Sequence, residues 1–203
     1  YESWGLEAGI IHADTSTGDA DDACWQQLAQ MREQQWGEHR AECLMLDTGY
    51  NTEACDAFGR KHVGWCLLMV GRDNPSQLYA ARPVEKDIRG KTVKTGLHRW
   101  TIDHGHYKSW IHDHIRACTD DPQLPKTWHI SRSHSDEYCK QIVGEARMIT
   151  ASGRVRWHKT RANHWLDCEY MQRALADIRG VGRLQNTAQA KPAAIKRRPS
   201  NYL

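Results

Sequence analysis

Asp47 and Asp167 are the residues whose surroundings best suit chemistry. Asp47 closes Glu42-Cys43-Leu44-Met45-Leu46-Asp47-Thr48-Gly49, a short apolar run ending in an acid and a glycine turn. Asp167 lies in Asn163-His164-Trp165-Leu166-Asp167-Cys168, which opens a segment whose Leu166, Tyr170, Leu175 and Ile178 fall near one helical face. An acid at the end of a buried strand, facing an acid at the start of a helix, is an arrangement that holds divalent metal ions for phosphodiester cleavage. Mg2+ and Mn2+ take oxygen ligands and keep several waters, so two or three carboxylates plus a substrate phosphate make a site. Two such ions about 3.5–4 Å apart can activate the attacking water and stabilise the leaving oxygen. The plainer alternative is that Asp47 caps a turn, while Asp167 is a first-turn acid favoured by the helix N-terminus, with Asn163 as the side-chain cap.

Other chemistry-bearing residues are less specific. Asp103 follows the apolar run Leu97–Ile102 and is a peripheral metal-ligand candidate, or simply a helix cap beside a run of histidines. His104, His106, His112 and His114 resemble metal-binding text. Residues i and i+2 of a helix point to different faces, so His112 and His114 cannot chelate one ion, and the first pair lacks the spaced partners of a zinc hydrolase. These histidines read as surface or DNA-facing groups. His106, Lys108 and Arg161 are the candidate DNA contacts. Arg89-Gly90-Lys91-Thr92 is not a phosphate loop, because that motif requires glycine at position 85 and Glu85 stands there. Cys43 and Cys66 sit in apolar runs that read as buried strands, where a thiol is inert as a nucleophile.

A chain of 203 residues can bury one domain core and leave a tail. It contains no run of about 18 apolar residues that would span a membrane, and no basic leader ahead of an apolar stretch. Its seven cysteines are odd in number and show no C-x-x-C spacing, which favours reduced thiols over a disulfide framework or a zinc knot. From Gly180 onward there are five basic residues and no acid. Subtracting them from the chain's +3 leaves −2 on residues 1–179. The globular part is therefore not a general polyanion binder, and any DNA contact must come from a local patch.

The elements that must position the two acids follow from periodicity and turn residues. Residues 1–11 read as a strand. Asp14–Asp22 read as a turn and helix start, with the helix running to about Trp36. Cys43–Leu46 is a buried strand, Thr52–Lys61 a helix and Gly64–Val70 a second buried strand, which together make a parallel crossover. Gly71–Gly96 reads as a long loop with an irregular strand pair, followed by a strand over Leu97–Ile102 and a helix over Tyr107–Cys118. After a loop over Asp120–Lys126, Thr127–Ile130 is a short strand and Asp136–Val143 a short helix. Ala146–Thr150 and Arg154–Lys159 form a hairpin. The last helix is Asn163–Arg179, and 180–203 reads as a basic flexible tail of low hydrophobicity.

The run Leu46-Asp47-Thr48-Gly49, with Asn163-x-x-Leu166-Asp167-Cys168 far downstream, resembles the nuclease domain of phage terminase large subunits of the GpA (lambda) type. The order between them fits as well: the strand through Trp65–Val70, Leu97–Ile102 leading to Asp103, a helix with Lys108 and Trp110, and Asp136-Glu137-Tyr138 ahead of the last hairpin. The resemblance covers roughly residues 2–179. It implies an α/β domain with a ribonuclease-H-like (RuvC-like) mixed sheet, here of about five strands, flanked by helices on both faces. It implies a Mg2+ or Mn2+ two-metal site at Asp47 and Asp167 that cuts concatemeric double-stranded DNA during genome packaging in the host cytoplasm. The implied partners are duplex DNA, the terminase small subunit and the portal protein, with an ATPase domain upstream in the parent protein. In the family a third acid lies on a first strand preceding the one near Glu2. The chain is accordingly expected to be an N-terminally truncated fragment of domain 1–179, with its third ligand upstream of Tyr1 and weak activity alone. Where the family often has a lysine after the Asp103-like acid, this chain has His106, with Lys108 two residues on. Lys196-Arg197-Arg198-Pro199 reads as a solvated basic end, or by resemblance as a contact for the portal. Two other functions fit the same fold: a resolvase- or transposase-type nuclease, and a non-catalytic domain that binds DNA or assembles the motor.

Overall fold

The structure, a computed structural model, describes residues 2–12, 22–88, 91–120 and 128–183, without the side chains of 86–88, 91–94 and 118–120. In chain order its elements are β1 (Ser3–Gly5), α1 (Ala23–Gln30), β2 (Gln35–Trp36), β3 (His39–Arg40), β4 (Leu44–Asp47), α2 (Thr52–Lys61) and β5 (Cys66–Arg72). They continue as β6 (Tyr79–Ile88), β7 (Lys91–Asp103), α3 (His104–Asp120), β8 (Trp128–Ile130), α4 (Asp136–Ile142), β9 (Glu145–Ile149), β10 (Val155–Lys159) and α5 (His164–Ile178).

A mixed sheet in the order β4-β5-β7-β6 is the frame. β4, β5 and β7 run parallel and β6 antiparallel. The period-two alternation of the strands sends side chains to two separate cores. Met45, Met69 and Ile102 face α3, α4 and α5, where Tyr107, Ile111, Tyr138, Leu166 and Tyr170 are buried. Leu68, Val84 and Leu97 face α1 and α2, where Trp25, Ala54, Cys55 and Phe58 complete the second core. The expected mixed α/β architecture with helices on both faces is present. The sheet has four strands rather than five, and β1–β8, β2–β3 and β9–β10 form separate two-stranded ladders.

Several elements match their sequence signals. α2 is capped by the Asn51 side chain, which accepts from Ala54 N at 3.2 Å, and α4 by Ser135, which accepts from Tyr138 N at 3.2 Å. β4–α2–β5 is the parallel crossover that its lengths imply. A buried ion pair fastens α2 to the sheet: Asp56 accepts from Arg99 on β7 at 2.6 Å. On the other face the buried Glu169 of α5 accepts from Tyr138 OH at 2.6 Å and Trp128 Nε1 at 3.1 Å, tying α5 to α4 and β8.

Three expectations are corrected, for identifiable reasons. The irregular strand pair expected within Gly71–Gly96 is present, but it fills most of what read as loop, because β6 and β7 form a long antiparallel pair. Its Pro83 sits on the sheet's edge strand at a register shift between Pro83 and Glu85, where a missing N–H is tolerated. The helix expected to reach Trp36 stops at Gln30. Gly37, at φ +65°, makes a turn that pairs Gln35–Trp36 with His39–Arg40. Of residues 1–11 only Ser3–Gly5 forms a strand, parallel to β8. The helix start at 13–21, the loop at 121–127 and the tail beyond Arg183 lie outside the described residues.

One close approach fixes how the last hairpin meets α5. The Gly144 carbonyl accepts from Thr160 N at 3.0 Å, Arg161 N at 3.2 Å and Thr160 Oγ1 at 2.8 Å. A Cβ at Gly144 would stand 2.4 Å from the Ala162 carbonyl oxygen, so no side chain fits without backbone movement. This pinch aligns Glu145 with Asn163. Gly144→Ala is therefore expected to lose about 1–3 kcal/mol of stability through overpacking, read from the shift in the urea unfolding midpoint. An unchanged midpoint would show that the pinch relaxes freely.

Candidate active site

Asp47 ends β4 at the carboxyl end of the parallel strands, the edge where open α/β sheets place their ligands. Its position is set by the turn that follows. Gly49 N donates to Asp47 Oδ1 at 2.9 Å, and the buried Thr48 continues the ladder by donating its N–H and Oγ1 to Met69 O at 3.0 and 2.8 Å. The turn-capping interaction is thus real, and it holds an exposed carboxylate in a fixed orientation.

Asp167 lies in the first turn of α5, which packs against β4. Asn163 occupies the N-cap position, yet its side chain makes no capping hydrogen bond. This corrects the capping expectation. Asn163 Nδ2 donates instead to Glu145 Oε1 and, at 3.1 Å, to Asp167 Oδ2. Lys108, on α3, donates to Glu145 Oε1 at 2.6 Å and contacts Asp167 Oδ1 at 3.2 Å. Three elements therefore converge on one cluster, with α3 supplying the cation, β9 and α5 the acids, and Asn163 bridging the carboxylates.

The electrostatics join Asp47 to this cluster. Burial pushes the Asp167 carboxyl above its ordinary range. Lys108 opposes the shift, and the negative charges of Glu145 and Asp47 add to it. The same three acids, behind burial as the main cause, raise the Tyr170 hydroxyl, and Lys108 Nζ lies 5.3 Å from the Tyr170 ring centroid. Two acids separated by most of the sequence thus act on the same groups.

The other sequence candidates separate clearly. Asp103 caps α3, accepting from His106 N at 3.1 Å. Lys108, expected to face DNA, is 4% exposed and held by two carboxylates, so it points into the cluster and not outward. His106 and Arg161 are exposed. The remaining histidines are not free surface groups. His104 pairs with Asp73 at 2.7 Å, His112 packs on Trp157, and His114 stacks on Trp110. No disulfide joins the described cysteines, and burial raises the Cys55 thiol to about 11 and Cys66 to about 12, as inert core thiols require.

Glu145 escaped the sequence reading, which placed a third acid upstream of Tyr1. A signal was present: Glu145 is the only acid between Glu137 and Asp167. An isolated acid just after a glycine and inside a basic stretch is a candidate for burial against a cation.

The family model for the terminase large subunit gpA endonuclease domain matches residues 1–187. No curated protein and no solved structure matches.

The raised Asp167 has a consequence for stability. A carboxyl whose folded-state pKa lies above its unfolded value favours folding while protonated, and that contribution is lost as pH rises through the folded value. Asp167→Asn should therefore be at least as stable as wild type at pH 8 without metal. The difference should vanish below the ordinary aspartate range of about 4, where wild-type Asp167 is itself neutral. Melting temperatures across that range test this, and a clear loss at pH 8 would assign Asp167 a purely structural pairing role.

Proposed function

The chain belongs to the terminase large subunit gpA endonuclease family, and from that premise we propose that it is a metal-dependent endonuclease that cuts concatemeric double-stranded DNA to make genome ends. The observation that carries this reading is the pairing of Asp167 and Glu145 with one buried ammonium, near enough to the strand-end Asp47 for its charge to bear on Asp167. An Asp at the end of a parallel strand with an Asp in the first turn of a helix also supports taking the sheet as a ribonuclease-H-like core.

The donor set fits Mg2+ or Mn2+, hard ions that a protein holds through one or two carboxylates while water and substrate phosphate supply the rest. Among the described residues no three His, Cys, Asp or Glu side chains are arranged to hold an ion by themselves. Asp47 and Asp167 are the residues that would hold it. When bound, the metal would lower the pKa of the attacking water and offset charge on the attacking and leaving oxygens. The chain's own residues do the positioning. The Gly49 amide orients Asp47, and Lys108 and Asn163 each hold one oxygen of Asp167. Lys108 also offsets the repulsion among the acids, so the cluster persists without metal. Glu145 fixes Lys108 and Asn163 and is a positioning residue.

This function calls for duplex DNA, the terminase small subunit, the portal and an ATPase domain as partners in the host cytoplasm. Among the described residues no helix is long and apolar enough to cross a membrane.

The test pairs Mn2+ titration calorimetry with cleavage of plasmid DNA in Mg2+, Mn2+ or EDTA. Wild type should bind Mn2+ and cut only with metal. Asp47→Asn and Asp167→Asn should each abolish both, and Glu145→Gln should lower cutting about 10–100-fold, as loss of a group that orients a ligand does. Wild type that neither binds Mn2+ nor cuts would favour the non-catalytic DNA-binding or assembly reading, in which Lys108 alone neutralises the acids.

A further inference from the structure

The β9–β10 hairpin carries a charge that the acidic cluster does not use. Residues 145–161 hold Arg147, Arg154, Arg156, Lys159 and Arg161 against a single acid, Glu145, a net +4. Residues 1–179 together carry −2, so the rest of that span is −6. Residues 82–99, over β6 and β7, carry the same net +4, with six cations against two acids; what sets the β9–β10 hairpin apart is that its base adjoins the acidic cluster. Arg147 pairs with Asp113 at 3.7 Å. Arg154, Arg156, Lys159 and Arg161 are exposed and have no carboxylate partner among the described residues.

The pairing register shows where these cations stand. Lys159 lies opposite Glu145, at the base of the hairpin beside the acidic cluster. Arg154 is five residues away toward the tip, about 17 Å at a strand's rise of roughly 3.4 Å per residue. Arg156 and His158 share a face with Met148, while Trp157 on the opposite face anchors the hairpin to α3 by donating Nε1 to Gly105 O at 3.1 Å. The hydrogen bond from His104 is the main cause that holds the Asp73 carboxyl below its usual range, and the Arg156 charge adds to it. Met148 and Ile149 remain exposed although apolar.

A row of unpaired cations leading away from a cluster of acids fits a polyanion with regularly spaced charge. Duplex DNA carries one charge per about 1.7 Å of its axis, and its major groove admits a two-stranded ribbon. The acids themselves repel a phosphate backbone, so the attraction that holds the duplex must come from a neighbouring element.

We propose that the β9–β10 hairpin is a duplex-DNA docking arm, laying Arg154 and Arg156, on the face opposite Trp157, along the phosphate backbone, with Lys159 and Arg161 at its base beside the acidic cluster. Its place next to a cutting centre rests on the nuclease reading, but the docking does not. In EDTA, binding of a labelled duplex of about 30 base pairs is followed between about 50 and 200 mM salt. Arg154→Ala/Arg156→Ala should weaken binding roughly tenfold and lower the slope of log K against log salt by about two. Arg154→Lys/Arg156→Lys should keep the slope, as should Asp167→Asn. Arg132→Ala/Lys140→Ala, which removes two exposed cations elsewhere, should change little. With metal, the hairpin variant should raise KM and leave kcat nearly unchanged. A wild type that does not cut, combined with a lowered slope in the hairpin variant, would keep the docking arm and remove the nuclease reading. An unchanged slope in that variant, or an equal loss in the Arg132/Lys140 control, would overturn the docking arm.

Discussion

The Lys108 ammonium is the constraint on which the rest of this structure depends. It is buried, and an isolated buried cation is so costly that it persists only when paired and hydrogen-bonded. Its partners come from β9 and α5, so one charge obliges three elements to meet at one point. Glu145 is the closer and more deeply buried of the two partners, and removing it would cost about 3–5 kcal/mol, because the ammonium would lose its buried counter-charge. That penalty makes the α3–β9–α5 junction specific rather than merely compact. The Gly144 pinch brings the start of β9 beside the start of α5, where Asn163 and Lys108 both donate to Glu145 Oε1.

This arrangement also explains how acids can be clustered in a fold that must be stable without a ligand. Burial is the main cause that raises the Asp167 carboxyl, and the like charges of Glu145 and Asp47 add to it. Lys108 opposes it without removing it. The site is therefore held short of full neutralisation, and the residual preference of Asp167 for a proton is free energy that a bound cation can recover.

Much of the frame was legible because its signals are local. The spacing of apolar runs and the Asn51 cap define β4–α2–β5, and the turn at Ala151–Gly153 defines the β9–β10 hairpin. β6 and β7 were not legible as long strands, since their many charges, with Pro83 and Gly96, obscure alternation; cross-strand pairing at a sheet edge decides their conformation. Asp47 and Asp167 were legible from element ends together with the family resemblance. Lys108 was not, because a lysine reads as solvent-facing unless its acidic partners are known, and those lie 37 and 59 positions away. Asn163 was misread for a related reason: the cap position was correct, but a competing pair of carboxylates takes its side chain.

Charge separation connects the frame to the work proposed for it. The acids collect at the carboxyl end of the parallel strands, while the unpaired cations collect on the hairpin whose base is Glu145. The same residue thus ends one region and begins the other. A polyanion approaching this edge meets attraction along the hairpin and repulsion at Asp47 and Asp167, and the repulsion is relieved only when a divalent ion is present. The geometry therefore separates two tasks that a single basic surface would merge. In the proposed function, holding DNA would depend on salt and on the hairpin, whereas letting phosphate reach the acids would depend on metal. Under the proposed function, a domain built this way would bind along a duplex without cutting it until a divalent ion is in place.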